Sequence, residues 1–363
     1  MGLATTILRS SDELAAIEPA WQQLLASTGK TNLFLTPLWV RTWIETRISN
    51  DPLLFIAVWD GEHLVALAPF YIARLRLLGL WTVRCLRIAA DRDTSAEYQD
   101  ILVDPDYERP AIAAIAGAAA EQSEAFHYLF VPYTDEESRA SQRLCDLCDE
   151  LGLVSGTREF EYYAVTLPGS HDEFMSSLGT RQRNNLKRYR KKLGENGTLT
   201  LSNLSGDPGH AFDVLRDLHR RRWQAAGEPG SFDRKPHFAK FIEAVSRQIE
   251  GIGWLAALCL ELDGNPVAIR YGFVYGDRLY EIQAGFDPAQ NGAGIVAIDS
   301  AIGYAIDRQV RVYDFLAYAG DYKTRFKARA RTGKSVFAAR KTLVNKLLFW
   351  LNVWPTGRYI KQL

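Results

Sequence analysis

Cysteine is scarce in this chain, four among 363 residues, too few for a fold stapled by disulfides. Two of them, Cys145 and Cys148, form a C-x-x-C inside "SQRLCDLCDELG". No second such pair completes a zinc site, and the apolar spacing reads as a helix, so core packing accounts for them. Long apolar runs are missing too: no stretch reaches the roughly 18 to 20 residues of a membrane-spanning helix. The start "MGLATTILRSSDELAAIEPAW" has no basic residues followed by an apolar segment, and a cytoplasmic location is therefore expected. Met1-Gly2 with Thr6 fits the opening of a myristoylation pattern, a match short enough to arise by chance. Excess charge is absent, with 43 Lys and Arg against 43 Asp and Glu, which removes the broad electrostatic argument for nonspecific nucleic-acid binding. No P-loop, zinc signature or Ser-His-Asp arrangement is present. The six histidines stand in unrelated contexts, so no metal is expected.

What is present is a globular composition, 47% hydrophobic and 24% charged, at a length that suits two domains. A repeat supports that division. "LLFIAVWDGEHLVALAPFYI" (53–72) and "WLAALCLELDGNPVAIRYGFVY" (254–275) are each two apolar runs joined at Asp-Gly, a strong hairpin signal. After each hairpin comes a strand, an Asp-Pro and a helix. Aligning Asp104-Pro105 with Asp287-Pro288 sets Ile112, Ala114 and Ile115 on Ile295, Ala297 and Ile298 without a gap. Each copy then ends in a further apolar strand, "FHYLFV" (126–131) and "VRVYDFL" (310–316). Two related α/β units follow.

The copies differ just past the shared Asp-Pro. The second reads "AQNGAGI" and the first "DYERPAI". Glycines at a helix start let a backbone approach a ligand and leave amides facing outward, the way a phosphate is held. Arg109 and Pro110 take those places in the first copy, and proline has no amide to offer. The second copy is therefore expected to carry an active phosphate loop that the first lacks. The bland alternative is a glycine-rich strand-to-helix turn without a ligand.

Between the copies, residues 181–192 hold seven Lys or Arg on a predicted helix, either a solvated face or, at Arg181 and Arg183, an anion contact. Residues 207–232 form another predicted helix with Ala211, Leu215 and Leu218 at core spacing. The apolar segment 342–354 predicts a helix packed on the body, with docking to a membrane surface as the other reading.

Five pieces carry a resemblance: "LFLTPLWVRTWIE" (33–45), "DGEHLVALAPFY" (60–71), "RQRNNLKRYRKKL" (181–193), "LHRRRWQAAGEPGSF" (218–232) and "YDFLAYAGDYKTRF" (313–326). From about residue 5 to 330 the chain resembles the GNAT-type acyltransferases of the CelD family, associated with bacterial cellulose and exopolysaccharide formation and related to the Fem transferases of peptidoglycan precursors. The resemblance implies an α/β (α+β) fold of two tandem GNAT-like domains. These are set at 1–165, expected to be non-catalytic, and 166–335, with the donor site; 336–363 is left as an extension. The family commonly has a Ser-Pro-Gly-like turn where this chain has "AQNGAGI", which instead resembles, one residue short, the pyrophosphate loop of acetyl-CoA-binding GNAT enzymes. Amides of Gly292, Ala293, Gly294 and Ile295 would then hold the pyrophosphate of acyl-CoA as co-substrate. The acceptor implied is an amine on a small molecule, sugar or envelope precursor. Nucleic acid is not expected as a partner except in the Fem-like alternative, where aminoacyl-tRNA is the donor.

Acyl transfer needs reactants held together, a base for the ammonium proton and donors facing the oxyanion. On the strand before the loop, Glu281 is a candidate base, with Gln283 on its face by alternation. An exposed strand carboxylate is the plain alternative for Glu281. Arg270 and Tyr271, on the hairpin strand beside it, are candidate site walls. On the helix "DLHRRRW", His219, Arg222 and Trp223 share a face, with His219 a second candidate base because it titrates near neutrality; otherwise this is a solvated basic face over a buried Trp223. Fem-like enzymes have an aromatic-Lys-x-x-Phe element that Tyr322 to Phe326 match. That likeness makes Lys323 an anion or oxyanion contact, with Asp314 and Tyr318 as neighbouring substrate contacts.

Overall fold

The computed structural model describes residues 2–29, 31–47, 49–77, 81–317, 320–343, 345 and 360–362. The chain divides into two compact units, residues 1–160 with 332–363, and residues 161–331. The C-terminal part expected as a separate extension thus belongs with the first unit: residues 334–339 of the strand Arg329–Arg340 pair antiparallel with Tyr128–Thr134. Residues 346–354 of the expected C-terminal helix, and Tyr318, lie outside the described residues. No described helix is long and apolar enough to cross a membrane.

In the first unit the strands run in the order Ala4–Leu8, Leu53–Asp60, His63–Leu77, Trp81–Ile88, Tyr128–Thr134 and Arg329–Arg340. The expected Asp60-Gly61 hairpin pairs Asp60 with His63. The helix Glu108–Glu121 returns the chain to Tyr128–Thr134, which lies parallel to Trp81–Ile88; such a pair needs a crossover. Ile112 and Ile115, predicted on the repeat, are buried in this unit's core.

The second unit orders its strands as the end of Leu153–Thr166, then Val312–Ala317, Arg278–Phe286, Asn265–Tyr275, Leu255–Leu262 and Leu199–Asn203. All pairs are antiparallel except Arg278–Phe286 with Val312–Ala317. The helix Ala293–Asp307 makes that crossover. Strand alternation sends neighbours to opposite faces. Ala268 packs with Ala293, Val296 and Ala297 of the crossover helix, whereas Tyr271 reaches Ser246 of the helix Pro236–Gln248 on the other side. Gly285 faces the helix Pro208–Ala225 so closely that a Cβ would meet the backbone of Leu218 and His219.

The basic run is the helix Thr180–Gly194. It docks through Leu186 and Leu193 into the core and through Arg190, whose Nη2 donates to the buried Asp299 at 2.7 Å. Asp299 also meets His171 Nε2 at 3.0 Å. Arg183 caps the preceding helix by donating to the carbonyls of Ser176 and Leu178. Arg181, Lys187, Arg188, Lys191 and Lys192 are exposed.

Candidate active site

The second unit's sheet opens at one place. Arg278–Phe286 pairs along its length with Asn265–Tyr275, but its parallel ladder to Val312–Ala317 spans only Arg278↔Val312 to Tyr280↔Asp314. Beyond Tyr280 the strands part, and on this side residues 281–286 have no strand partner among the described residues. Two irregularities produce this notch. On one side the register passes from Tyr271↔Gln283 to Gly272↔Glu281, a bulge that leaves Ile282 extra. Gly272 is required there, since a Cβ would overlap the carbonyl of Tyr280. On the other side Asp314 accepts the amide of Leu316 at 2.8 Å, and Leu316 takes a left-handed φ of 60°. That bends the strand and shifts its pairing with Tyr162.

Lys323 holds the bend in place. Its buried Nζ donates to the carbonyls of Phe315 (2.8 Å), Leu316 (3.2 Å) and Ala317 (2.8 Å). Three donors on three carbonyls leave the ammonium nothing for a substrate, so the expected oxyanion contact is corrected to a structural clamp. Asp314 is likewise structural: fully buried, it accepts from Arg278 Nη1 at 2.7 Å as well as from Leu316.

Inside the notch the Arg270 guanidinium grips both oxygens of Glu281, with Nε at 2.8 Å, and the Tyr313 hydroxyl donates to the same carboxylate. Glu281 is thus anchored as the counter-ion of Arg270, a role that competes with the expected one as base. Tyr322 stands half-buried beside this pair, its phenol held protonated by burial and by the negative Glu281. In the sequence Tyr322 is marked only as the aromatic flank of Lys323. Gln283 is half-buried on the same strand, its side chain without a hydrogen bond among the described residues.

The helix Pro208–Ala225 contributes three expected residues. His219 is buried, and its Nε2 accepts from Trp223 Nε1 at 3.0 Å, so that nitrogen is occupied. Burial, then the nearby Arg222 charge, push its pKa down to about 4, and Phe232 packs on the ring at a tilt of 57°, centroids 4.7 Å apart. His219 therefore orients Trp223 rather than presenting a free base nitrogen, a further departure from the expected role. Arg222 is half-buried, its guanidinium carbon 5.3 Å from the Trp223 ring and 5.1 Å from that of Phe286. Tyr271 has its hydroxyl taken up within the core, meeting Ser246 Oγ at 2.6 Å, and is not the open site wall expected.

The strand ends at Phe286 and enters the glycine turn. Asp287 Oδ1 accepts the Ala289 amide at 2.9 Å. Gly292 caps the helix with φ 89°, and a side chain there would overlap the Tyr189 ring that packs on it. Of the four expected donors, two are used internally: the Ala293 amide bonds Gln290 and the Ile295 amide bonds Gly292. The amides of Gly292 and Gly294 have no acceptor among the described residues, and no acidic residue stands in the first turn. Those two amides are thus left for an external acceptor, of which a phosphate oxygen is one chemical type.

The first unit has no such turn. Its helix starts at Glu108, with Arg109 and Pro110 in the first turn. A cavity of about 190 Å³ nearby is lined by Asp100, Glu108, Asp135, Ser138 and Arg143. Arg143 grips Asp100 there, and burial pushes the Asp100 carboxyl up to about 6. Among the described residues no group of three His, Cys, Asp or Glu is placed to hold a metal.

Residues 180–324 match the family model described as "Acetyltransferase (GNAT) domain". No curated protein matches the chain. Solved structures do. FemX aligns with a TM-score of 0.61 at 11% identity, over 91% of this chain and 98% of that one. L-PGS from Bacillus licheniformis aligns at 0.52 and 12% identity, over 95% and 97%. A tandem GNAT protein from the clavulanic acid biosynthesis pathway aligns at 0.50 and 11% identity, over 93% and 98%. The fold is thus a tandem of two GNAT-like α/β units.

Proposed function

We propose that the protein is an N-acyltransferase that moves an acyl group from acyl-CoA to an amine of a small molecule, sugar or envelope precursor. The observation that carries this reading is one strand, Arg278–Phe286, with an open edge along residues 281–286 and a glycine turn with two unengaged amides at its end. A strand edge offers unpaired amides and carbonyls to an extended amide-bearing ligand, as in β-augmentation. The turn offers amides and a helix dipole to phosphates. Acyl-CoA supplies an activated thioester carbonyl. The amine nitrogen forms the new C–N bond, the C–S bond breaks, and the departing thiolate needs a proton. Tyr322 is the neutral phenol in the notch that can give one. With Glu281 and His219 both engaged, the ammonium proton is left to solvent water. The resemblance to the CelD family makes an exopolysaccharide-linked amine the first acceptor class to try. Calorimetric titration with acetyl-CoA is the test: saturable binding is expected, and its absence would sink the reading.

A second reading is favoured by the exposed cations Arg181, Lys187, Arg188, Lys191 and Lys192 on the helix whose Tyr189 covers Gly292. There the donor is aminoacyl-tRNA, as the resemblance to Fem transferases would have it. It predicts tRNA binding that weakens steeply with salt, and salt-insensitive or absent tRNA binding would exclude it.

A further inference from the structure

Arg222 is a charge without a counter-charge. Three other cations at the notch have partners: Arg270 has Glu281, Arg278 has Asp314, and Lys323 has three carbonyls. Arg222 makes no hydrogen bond or ion pair with any described residue. It is nonetheless half-buried, and burial, then the like charge of Arg270, hold its guanidinium below its ordinary value. Glu281, a carboxylate close enough to help, is already taken by Arg270 and Tyr313. Taking an ion out of water without a partner is unfavourable, so the position makes physical sense once a ligand supplies the missing charge.

The surroundings hold the group ready. Trp223, fixed by its bond to His219, and Phe286, at the end of the open strand edge, flank the guanidinium. Aromatic rings cover a guanidinium's faces and leave its N–H edge to donate. That edge forms a fork matched to two oxygens of one carboxylate or phosphate. We propose that Arg222 is an anion receptor beside the notch, so that the substrate entering there presents a carboxylate or phosphate to it. In placing that substrate in the notch the proposal rests on the transferase reading; the anion site itself does not.

Two anion sources are open, the donor's phosphates and a carboxylate on the acyl group, and the test separates them. Thermal unfolding of wild type, R222K and R222Q is followed with inorganic pyrophosphate, and separately with succinate, at constant ionic strength. One anion at least should raise the melting temperature of wild type, R222K less, and R222Q least. Equal responses in wild type and R222Q to both anions would overturn the receptor, whatever acyl-CoA does.

Calorimetry with succinyl-CoA, butyryl-CoA and S-butyryl-pantetheine then assigns the source. A carboxylate site gives succinyl-CoA an advantage over butyryl-CoA of roughly 10-fold, lost in R222Q. A phosphate site makes R222Q weaken both CoA esters by about 10-fold while S-butyryl-pantetheine is unaffected. An Arg222-dependent anion response with no binding of any CoA ester would keep the receptor and remove the acyl-CoA donor.

Discussion

At the scale of single residues, polar groups that look catalytic in sequence are committed to structure. Lys323 has all its donors on the carbonyls of Phe315, Leu316 and Ala317. Lys323→Met should destabilise the protein by about 2–3 kcal/mol in urea unfolding, because buried acceptors lose a charged donor. Unchanged stability with lost turnover would instead return Lys323 to the substrate. His219 carries a pH prediction. Its folded pKa, about 4, lies below the ordinary value of 6.5. The unfolded chain therefore takes up its proton first as pH falls. Stability from this group is full above 6.5 and is lost progressively as the pH drops toward 4. His219→Gln should flatten that part of the urea-unfolding pH profile, and an unaltered slope would refute the buried neutral histidine.

At the scale of elements, the notch depends on how the helix Pro208–Ala225 lies on the strand Arg278–Phe286. Gly285 allows that approach, with no room for a Cβ before the backbone of Leu218 and His219. Gly285→Ala should push the helix outward at a cost of about 1–3 kcal/mol in stability. It should also displace Arg222 and its neighbour Trp223, which a change in tryptophan fluorescence absent from a W223F background would report. A variant with wild-type stability and fluorescence would mean that the contact is looser than it stands. The alternation and hairpin signals that placed these strands were plain in the sequence. The bulge at Ile282 and the bend at Leu316 were not, since the first exists only in the register between two paired strands and the second in side-chain bonds from Asp314 and Lys323 to the backbone.

At the scale of the molecule, two units of like topology end their corresponding strands differently. The second has a glycine turn with unengaged amides, and the first a helix opening with Glu108, Arg109 and Pro110. Gly292→Val, which must overlap Tyr189 and adopt a left-handed φ, should lower acetyl-CoA affinity by at least about 10-fold, or roughly 1.4 kcal/mol. Arg109→Ala should leave that affinity unchanged. Equal effects in calorimetry would place a donor site in the first unit as well.

Sequence alone determined the repeat, its hairpins and crossover helices, because apolar period and turn residues are local properties. It also picked out the glycine turn, whose chemistry lies in consecutive residues. Which carboxylate or ammonium faces a ligand was decided only by the tertiary structure. Glu281 is neutralised by Arg270, eleven residues earlier in the chain, and Tyr313, thirty-two later. Lys323 is consumed by a strand bend that no periodicity announces. Those pairings are electrostatic choices made across the sheet, and a linear pattern contains no term for them.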